Sequence, residues 1–229
     1  MKGFILAGGK GTRLRPVTYE IPKPLIPVGG QEILTYLINF YAESGIEDIK
    51  INIPAKHKRK FLKWRLKNFP DKKISFLVEK TASGTMGPLI KSLNWFDDDV
   101  LISNGDELKS FAVEEMIEQH RKKEQLATIA LTEVDNPSSY GVAITKGSKI
   151  IKFLEKPNNP PSSYISSGIY ILSPEVKKYF PDKEFSMLEK DLFPKLAERR
   201  ELSGYKSQGS WYDTGTLERW GKAIKQWKS

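Results

Sequence analysis

Three glycines in four positions, Gly8, Gly9 and Gly11, follow the apolar run Phe4-Ile5-Leu6-Ala7 and lead directly into Thr12 and Arg13. Glycine lets the backbone take positive φ and approach a ligand closely. Successive N–H groups can then converge on one anion, while the Thr12 hydroxyl and the forked Arg13 guanidinium add donors. Ten residues after Arg13, Lys23 lies between Pro22 and Pro24, whose rings fix φ and restrict the residue before each, so the ammonium is held in place. The chemistry open to such a set is the binding of phosphates. The spacing fits neither the G-x-G-x-x-G dinucleotide turn nor the G-x-x-x-x-G-K-[ST] P-loop. An ordinary turn after a buried strand would explain the glycines, but not the arginine and the proline-bracketed lysine that accompany them.

The elements that must hold these groups follow from periodicity. Ile33, Leu34, Leu37, Ile38 and Tyr41 recur at helical spacing, and Gly45 is placed to stop that helix. Strands are expected at Ile49 to Ile53, Ile74 to Val78 and Val100 to Ile102, so the first half alternates strand and helix as a parallel α/β sheet does. Ligands of such sheets bind beyond the carboxyl ends of the strands, where the glycine loop sits. Asp106 also falls just past a buried strand, in Ser103-Asn104-Gly105-Asp106-Glu107, and as a hard oxygen ligand it can hold Mg²⁺ against phosphate oxygens. The preceding Asp97-Asp98-Asp99 reads as an exposed strand entry. A helix is expected over Phe111 to Lys123 and a strand over Ala127 to Leu131, followed by short strands near Val142 to Thr145, Ile150 to Leu154 and Tyr164 to Leu172.

With 229 residues and 39% hydrophobic content, the chain suits one large domain with a real core. It has no cysteine and two histidines, His57 and His120, which excludes disulfides and thiolate chemistry and leaves little for a histidine-rich metal site. Strand-like sequence from Gly3 leaves no room for a cleavable signal, and no apolar run reaches the roughly 18 residues of a membrane span, so a cytoplasmic protein is expected. The net charge of +9 raises the question of a polyanion partner. The densest basic run, Lys56 to Lys60 with Lys63, Arg65 and Lys67, carries Leu62, Leu66 and Phe69 at helical spacing beside Phe61 and Trp64. It is read as an amphipathic helix with a solvated basic face, so neither nucleic acid nor membrane is expected as a partner.

The stretch LAGGKGTRLRPVT with PKPLIPVGGQ resembles the signature of the sugar-1-phosphate nucleotidyltransferases, which join a nucleoside triphosphate to a sugar 1-phosphate and release pyrophosphate. Within that family the pattern is most like the mannose- and heptose-1-phosphate guanylyltransferases. The resemblance covers residues 1 to about 221 and implies a Rossmann-like mixed, mainly parallel sheet flanked by helices. It implies a single domain over 1–229, with a nucleotide-binding half (1–110), a sugar-phosphate-binding half (111–229) and no appended β-helix domain. By resemblance, Leu6, Ala7, Gly8, Gly9, Gly11, Thr12 and Arg13 hold the triphosphate, and Lys23 contacts the reacting phosphates. The loop from Glu79 through Gly84 resembles the base-recognition loop. There a carboxylate, which only accepts hydrogen bonds, matches the adjacent N1–H and N2–H₂ donors of guanine better than uracil or thymine, and GTP is favoured on that ground.

Asp106 matches the family's metal-binding aspartate, and Asp213, within Trp211-Tyr212-Asp213-Thr214-Gly215-Thr216, matches a second carboxylate on Mg²⁺. The Asp-Thr-Gly-Thr run also reads as a helix cap. Whether Glu107 joins the metal shell is open. For the acceptor, the resemblance points to Gly141, to Glu155 and Lys156 of the EKP segment, and to Glu189. Ser166-Ser167-Gly168 stands where many relatives have Asn-Ala-Gly, which leaves the identity of the sugar unsettled. Lys156 before Pro157 also fits a solvent-facing lysine at a turn, and Glu189 an exposed helix position. The expected reaction is Mg²⁺-dependent attack of the sugar phosphate on the α-phosphorus, with Arg13, Lys23, Asp106 and Asp213 as the catalytic set and no protein nucleophile. The alternatives are a UTP- or dTTP-dependent hexose-1-phosphate enzyme and a non-catalytic nucleotide or polyanion binder. A homo-oligomer is left open.

Overall fold

The computed structural model describes residues 1–227. The protein is a mixed α/β fold with a large sheet of nine strands and flanking helices. Its contacts divide into two compact units. The first comprises Lys2–Ala82, Ser103–Ser110 and the segment from Gly209 onward; the second comprises Met1, Ser83–Ile102 and Phe111–Gln208.

In the first unit the strands Lys2–Leu6, Ile49–Pro54 and Ile74–Glu79 run parallel, with Ile49–Pro54 in the middle. Phe4, Ile5, Ile49, Ile51 and Ile53 are buried almost completely, the near-continuous apolar pattern of parallel strands covered on both faces. The helix Ile33–Glu43 buries Ile33, Leu34, Leu37, Ile38 and Tyr41. Beyond its end, Gly45 takes φ +70°. The Tyr41 hydroxyl reaches the Phe4 carbonyl and Ser103 Oγ, each at 3.1 Å. The register Leu6↔Asn52 and Pro54↔Glu79 sets the carboxyl ends of the three strands side by side.

The basic helix, Lys58–Asn68, differs from its expected orientation. It buries Phe61 and Trp64, with Phe69 just beyond it, while Leu62 and Leu66 point outward. Helical spacing allows either stripe, and the one with the larger aromatic area went inward. Trp64 Nε1 also finds a partner there, donating to Thr35 Oγ1 at 3.1 Å. No helix among the described residues is long and apolar enough to cross a membrane.

Among the strands that were not expected, which include Leu202–Lys206, are two short ones. Glu107–Ser110 pairs antiparallel with Ser210–Asp213 in the register Glu107↔Asp213 and Lys109↔Trp211. The terminal helix Leu217–Gln226 follows, and its first turn is capped by Thr216, whose Oγ1 accepts from Arg219 N at 3.2 Å. The cap reading of this segment therefore holds at Thr216, while Asp213 lies on the strand before it.

In the second unit the strand order is Tyr164–Leu172, Ala127–Glu133, Leu202–Lys206, Lys149–Glu155, Gly141–Lys146. Only the Ala127–Glu133 and Leu202–Lys206 pair among these is parallel. The strand Tyr164–Leu172 breaks register between Ser166 and Tyr170. Ser166 Oγ there accepts from Gly168 N at 3.2 Å, and Ser167 Oγ donates to the Ala130 carbonyl at 3.0 Å. Such a bulge re-aims side chains locally.

Candidate active site

The glycine loop leaves the strand Lys2–Leu6 at a crowded point. A side chain at Gly8 would lie 2.4 Å from Asn52 Nδ2 and 3.1 Å from Glu79 Oε2, so only glycine fits. Gly11 takes φ +60°, a left-handed conformation that glycine adopts without strain. Thr18 Oγ1 donates to its carbonyl at 2.7 Å. Thr12 and Arg13 follow in a short 3-10 turn, both exposed. Gly9 lies in open space, with nothing within 4 Å of where a side chain would begin.

Asp106 is brought to this loop by its neighbour. Gly105 N donates to the Leu6 carbonyl at 2.9 Å, placing the next residue beside the end of the cradle strand. Lys23 is buried and donates to Asp106 Oδ2. Partial burial works against ionisation of Asp106, but Lys23, with help from Lys109 and Arg13, holds its carboxyl below the usual range.

Asp213 reaches the same place from the other end of the chain. Its strand pairs with the one that follows Asp106, and Thr214 donates to the Asp106 carbonyl through both N (3.3 Å) and Oγ1 (2.7 Å). Arg219, one turn into the terminal helix, donates to Asp213 Oδ2, and Gly215 N donates to Oδ1 at 2.6 Å. A side chain at Gly215 would stand 2.7 Å from Asp213 Oδ1 and 3.3 Å from the Arg13 guanidinium. Arg13, Lys23, Asp106 and Asp213 are thus brought together, although more than a hundred residues separate the two aspartates in sequence.

Among the described residues no cluster of three or more His, Cys, Asp or Glu is arranged to hold a metal. Magnesium uses one or two carboxylates and completes its shell with water and substrate phosphates. The paired aspartates therefore fit an ion that arrives with a nucleotide, and Lys23 and Arg219 balance their charge otherwise.

Glu107 takes a different part. Its Oε1 accepts from Asn104 Nδ2 and its Oε2 from Trp211 Nε1, both at 2.7 Å, with Lys109 Nζ at 3.6 Å. Burial pushes the Glu107 carboxyl up to about 7, assisted by the charge of Asp106 and opposed by Lys109, Asn104 and Trp211. Burial also lowers the pKa of Lys109. With both oxygens so engaged, Glu107 acts as a strut between the strands that carry Asp106 and Asp213. Sequence reasoning missed Arg219, Lys109 and Asn52. Only Asn52 left a signal, as a polar residue in the apolar strand Ile-Lys-Ile-Asn-Ile-Pro.

Glu79 ends the strand Ile74–Glu79, is buried, and accepts from Asn52 Nδ2 at 2.8 Å. Gly84 falls in the second unit. It takes φ +84°, and a side chain on it would lie 2.1 Å from the Ser186 carbonyl oxygen, so its glycine is required by that contact whatever else it meets.

The expected acceptor residues form their own cluster in the second unit. Gly141 pairs with Glu155 across adjacent strands. Lys156 takes φ +48° and sets its Nζ 3.1 Å from Glu155 Oε1. Glu189 is buried in a π-helical turn, Leu188–Leu192, rather than exposed, and accepts from Thr85 Oγ1 at 2.6 Å. Burial raises its pKa; Thr85 and Lys156 oppose the shift and Glu155 adds to it, which shows the three charged groups to be neighbours. Ser166 follows Ile165, which pairs with Val142 beside Gly141.

Comparison with known proteins identifies the family. A family model described as nucleotidyl transferase matches residues 2–229. Mannose-1-phosphate guanyltransferases of Yarrowia lipolytica (37% identical over 223 residues) and Saccharomyces cerevisiae (34% over 224) align with 94% of this chain. The chain spans 61% of the length of these relatives. A Bacillus anthracis structure provisionally assigned as a glucose-1-phosphate thymidylyltransferase superposes with a TM-score of 0.90 at 28% identity, covering 98% of this chain and 94% of that one. HddC from Yersinia pseudotuberculosis complexed with GMP-PN gives 0.81 at 26% identity, with 99% of each chain covered. On the match across residues 2–229, the chain belongs to the nucleotidyl transferase family.

Proposed function

We propose that the protein transfers a guanylyl group from GTP to the 1-phosphate of a mannose- or heptose-type sugar, giving the nucleotide sugar and pyrophosphate. The observation that carries the reading is the junction of Arg13, Lys23, Asp106 and Asp213 at the glycine loop, a set that can neutralise a polyphosphate and align an in-line displacement. The buried Glu79 carboxylate beside the loop supports guanine. So do the names of the relatives at 34–37% identity.

In this reading Lys23 and Arg219 exchange carboxylate oxygens for phosphate oxygens when the nucleotide binds, and Lys23 serves the α-phosphate. Arg13 stabilises the departing pyrophosphate. Asp106 and Asp213 hold Mg²⁺, which when bound supplies charge neutralisation at the phosphates. Glu155, Lys156 and Glu189, with the backbone at Gly141 and the Ser166 hydroxyl, receive the acceptor. An acceptor phosphate with a second pKa near 6 is already ionised at neutral pH, so no general base is required.

A grid of GTP, UTP and dTTP against mannose, heptose and glucose 1-phosphates, read by pyrophosphate release, tests the assignment. GTP with mannose or heptose 1-phosphate should give the highest kcat/KM. A second reading, dTTP or UTP with a hexose 1-phosphate, is favoured by the TM-score of 0.90 to the Bacillus anthracis protein, and a maximum in that corner of the grid would replace the first.

A further inference from the structure

Asn52 is 2% exposed in the middle of the parallel strands, between the fully buried Ile51 and Ile53. Its amide makes two bonds: Oδ1 accepts from Ala7 N at 2.9 Å, and Nδ2 donates to Glu79 Oε2 at 2.8 Å. These two bonds fix each other. A backbone N–H only donates, so the Asn52 oxygen must face Ala7 and the amide cannot be turned over. Its NH₂ must then face Glu79, and Glu79 Oε2 must accept. A hydroxyl at that oxygen would set donor against donor, so the bridge holds Oε2 as an acceptor and fixes the rotation of the carboxyl group. The phosphate loop packs on the same bridge, because Gly8 leaves room for Asn52 Nδ2 and no more.

We propose that Asn52 is a positioning residue that sets base selectivity. It orients Glu79 with Oε2 held as an acceptor, and so selects a base whose edge presents two adjacent N–H donors, as guanine does. The inference rests on the reading of Glu79 as the base-facing carboxylate given above. It makes one side chain, buried beneath the loop, responsible for both the seating of the loop at Ala7 and the polarity of the base site.

The test compares kcat/KM for GTP with that for ITP, which keeps the N1–H but lacks the exocyclic amino group, using one acceptor throughout. Wild-type protein should prefer GTP by about tenfold or more, the worth of a hydrogen bond to a charged group. Glu79→Gln should abolish the preference. Asn52→Asp keeps the acceptor for Ala7 but sets a second carboxyl against Glu79, so the two share a proton, and the GTP/ITP ratio should fall about tenfold. Asn52→Ser, too short to span both partners, should lower the ratio in the same direction and carries the test should the aspartate variant not fold.

A merely structural role for Asn52 would lower turnover with GTP and ITP alike and leave the ratio intact; that outcome, together with a lost preference in Glu79→Gln, overturns the proposal while the base reading survives. An unchanged ratio in Glu79→Gln overturns both.

Discussion

Trp211→Phe removes one hydrogen bond from the strut that joins the two aspartate-bearing strands. The indole N–H donates to Glu107 Oε2 at 2.7 Å, and after the change that buried oxygen keeps only Lys109, at 3.6 Å, of its polar contacts described above. A bond to a charged acceptor contributes about 1.5–3 kcal/mol and one to a neutral acceptor about 0.5–1.5 kcal/mol. Since Glu107 is pushed up to about 7, it is largely protonated in the folded protein at mildly acidic pH and ionised at mildly alkaline pH. The indole N–H lowers that pKa, so its removal raises it further, and the ionised form bears most of the loss. The variant should therefore lose about 2 kcal/mol of stability above pH 8 and about 1 kcal/mol below pH 6. For a chain of this size the larger figure corresponds to a melting temperature lower by about 4–8 °C. Urea denaturation of wild type and variant at the two pH values measures both the loss and its pH dependence. A loss under about 0.5 kcal/mol at both would refute the strut, and a loss independent of pH would refute the raised carboxyl.

His120 should make stability fall in acid. It is buried between Thr128 Oγ1 (2.7 Å) and Ser173 Oγ (2.9 Å), and burial lowers its pKa below the ordinary 6.5 against the pull of Asp99. The unfolded chain then binds more protons than the folded one below about pH 6.5, so stability is lost as pH falls, at no more than about 1.4 kcal/mol per pH unit for this group. His120→Gln should remove its share of that slope in urea titrations, leaving the contribution of His57, whose pKa is also lowered, and the opposing ones of the raised carboxyls Glu107 and Glu189; a pH dependence equal to that of the wild type would show that His120 is not a source. Gly84→Ala forces φ +84° on an alanine and drives its Cβ to 2.1 Å from the Ser186 carbonyl oxygen. A loss of about 2 kcal/mol or more in thermal or urea unfolding is expected, and a neutral effect would mean that the loop moves aside freely.

The parts of this architecture carried by period and by local spacing could be read in the chain. The strand before Gly8, the helix at Ile33, the parallel alternation and the placing of Asp106 at a strand end all follow from patterns of a few residues. The meeting of Asp106 with Asp213 came only by resemblance, because nothing local in either segment names the other. The strands Glu107–Ser110 and Ser210–Asp213 were missed because each is four residues long, and the first buries Glu107 and Lys109 against partners scattered through the chain. A sequence window sees two charges there and infers solvent. Leu62 and Leu66 were misplaced for a different reason: two apolar stripes satisfied the helical period, and only tertiary packing could choose between them. Asn52 was overlooked even though one polar residue among isoleucines is a visible anomaly, because its meaning depends on the register that sets it beside Ala7 and Glu79.

The most direct test of the central claim is pyrophosphate release from GTP and mannose 1-phosphate in the presence of Mg²⁺, measured for wild type and for Asp106→Asn and Asp213→Asn with the fold of each verified by its unfolding transition. Turnover by the wild type, reduced by about two orders of magnitude or more in each folded variant, is the expected result. Turnover close to wild type in either variant would contradict the assignment of the paired aspartates as the centre of the reaction.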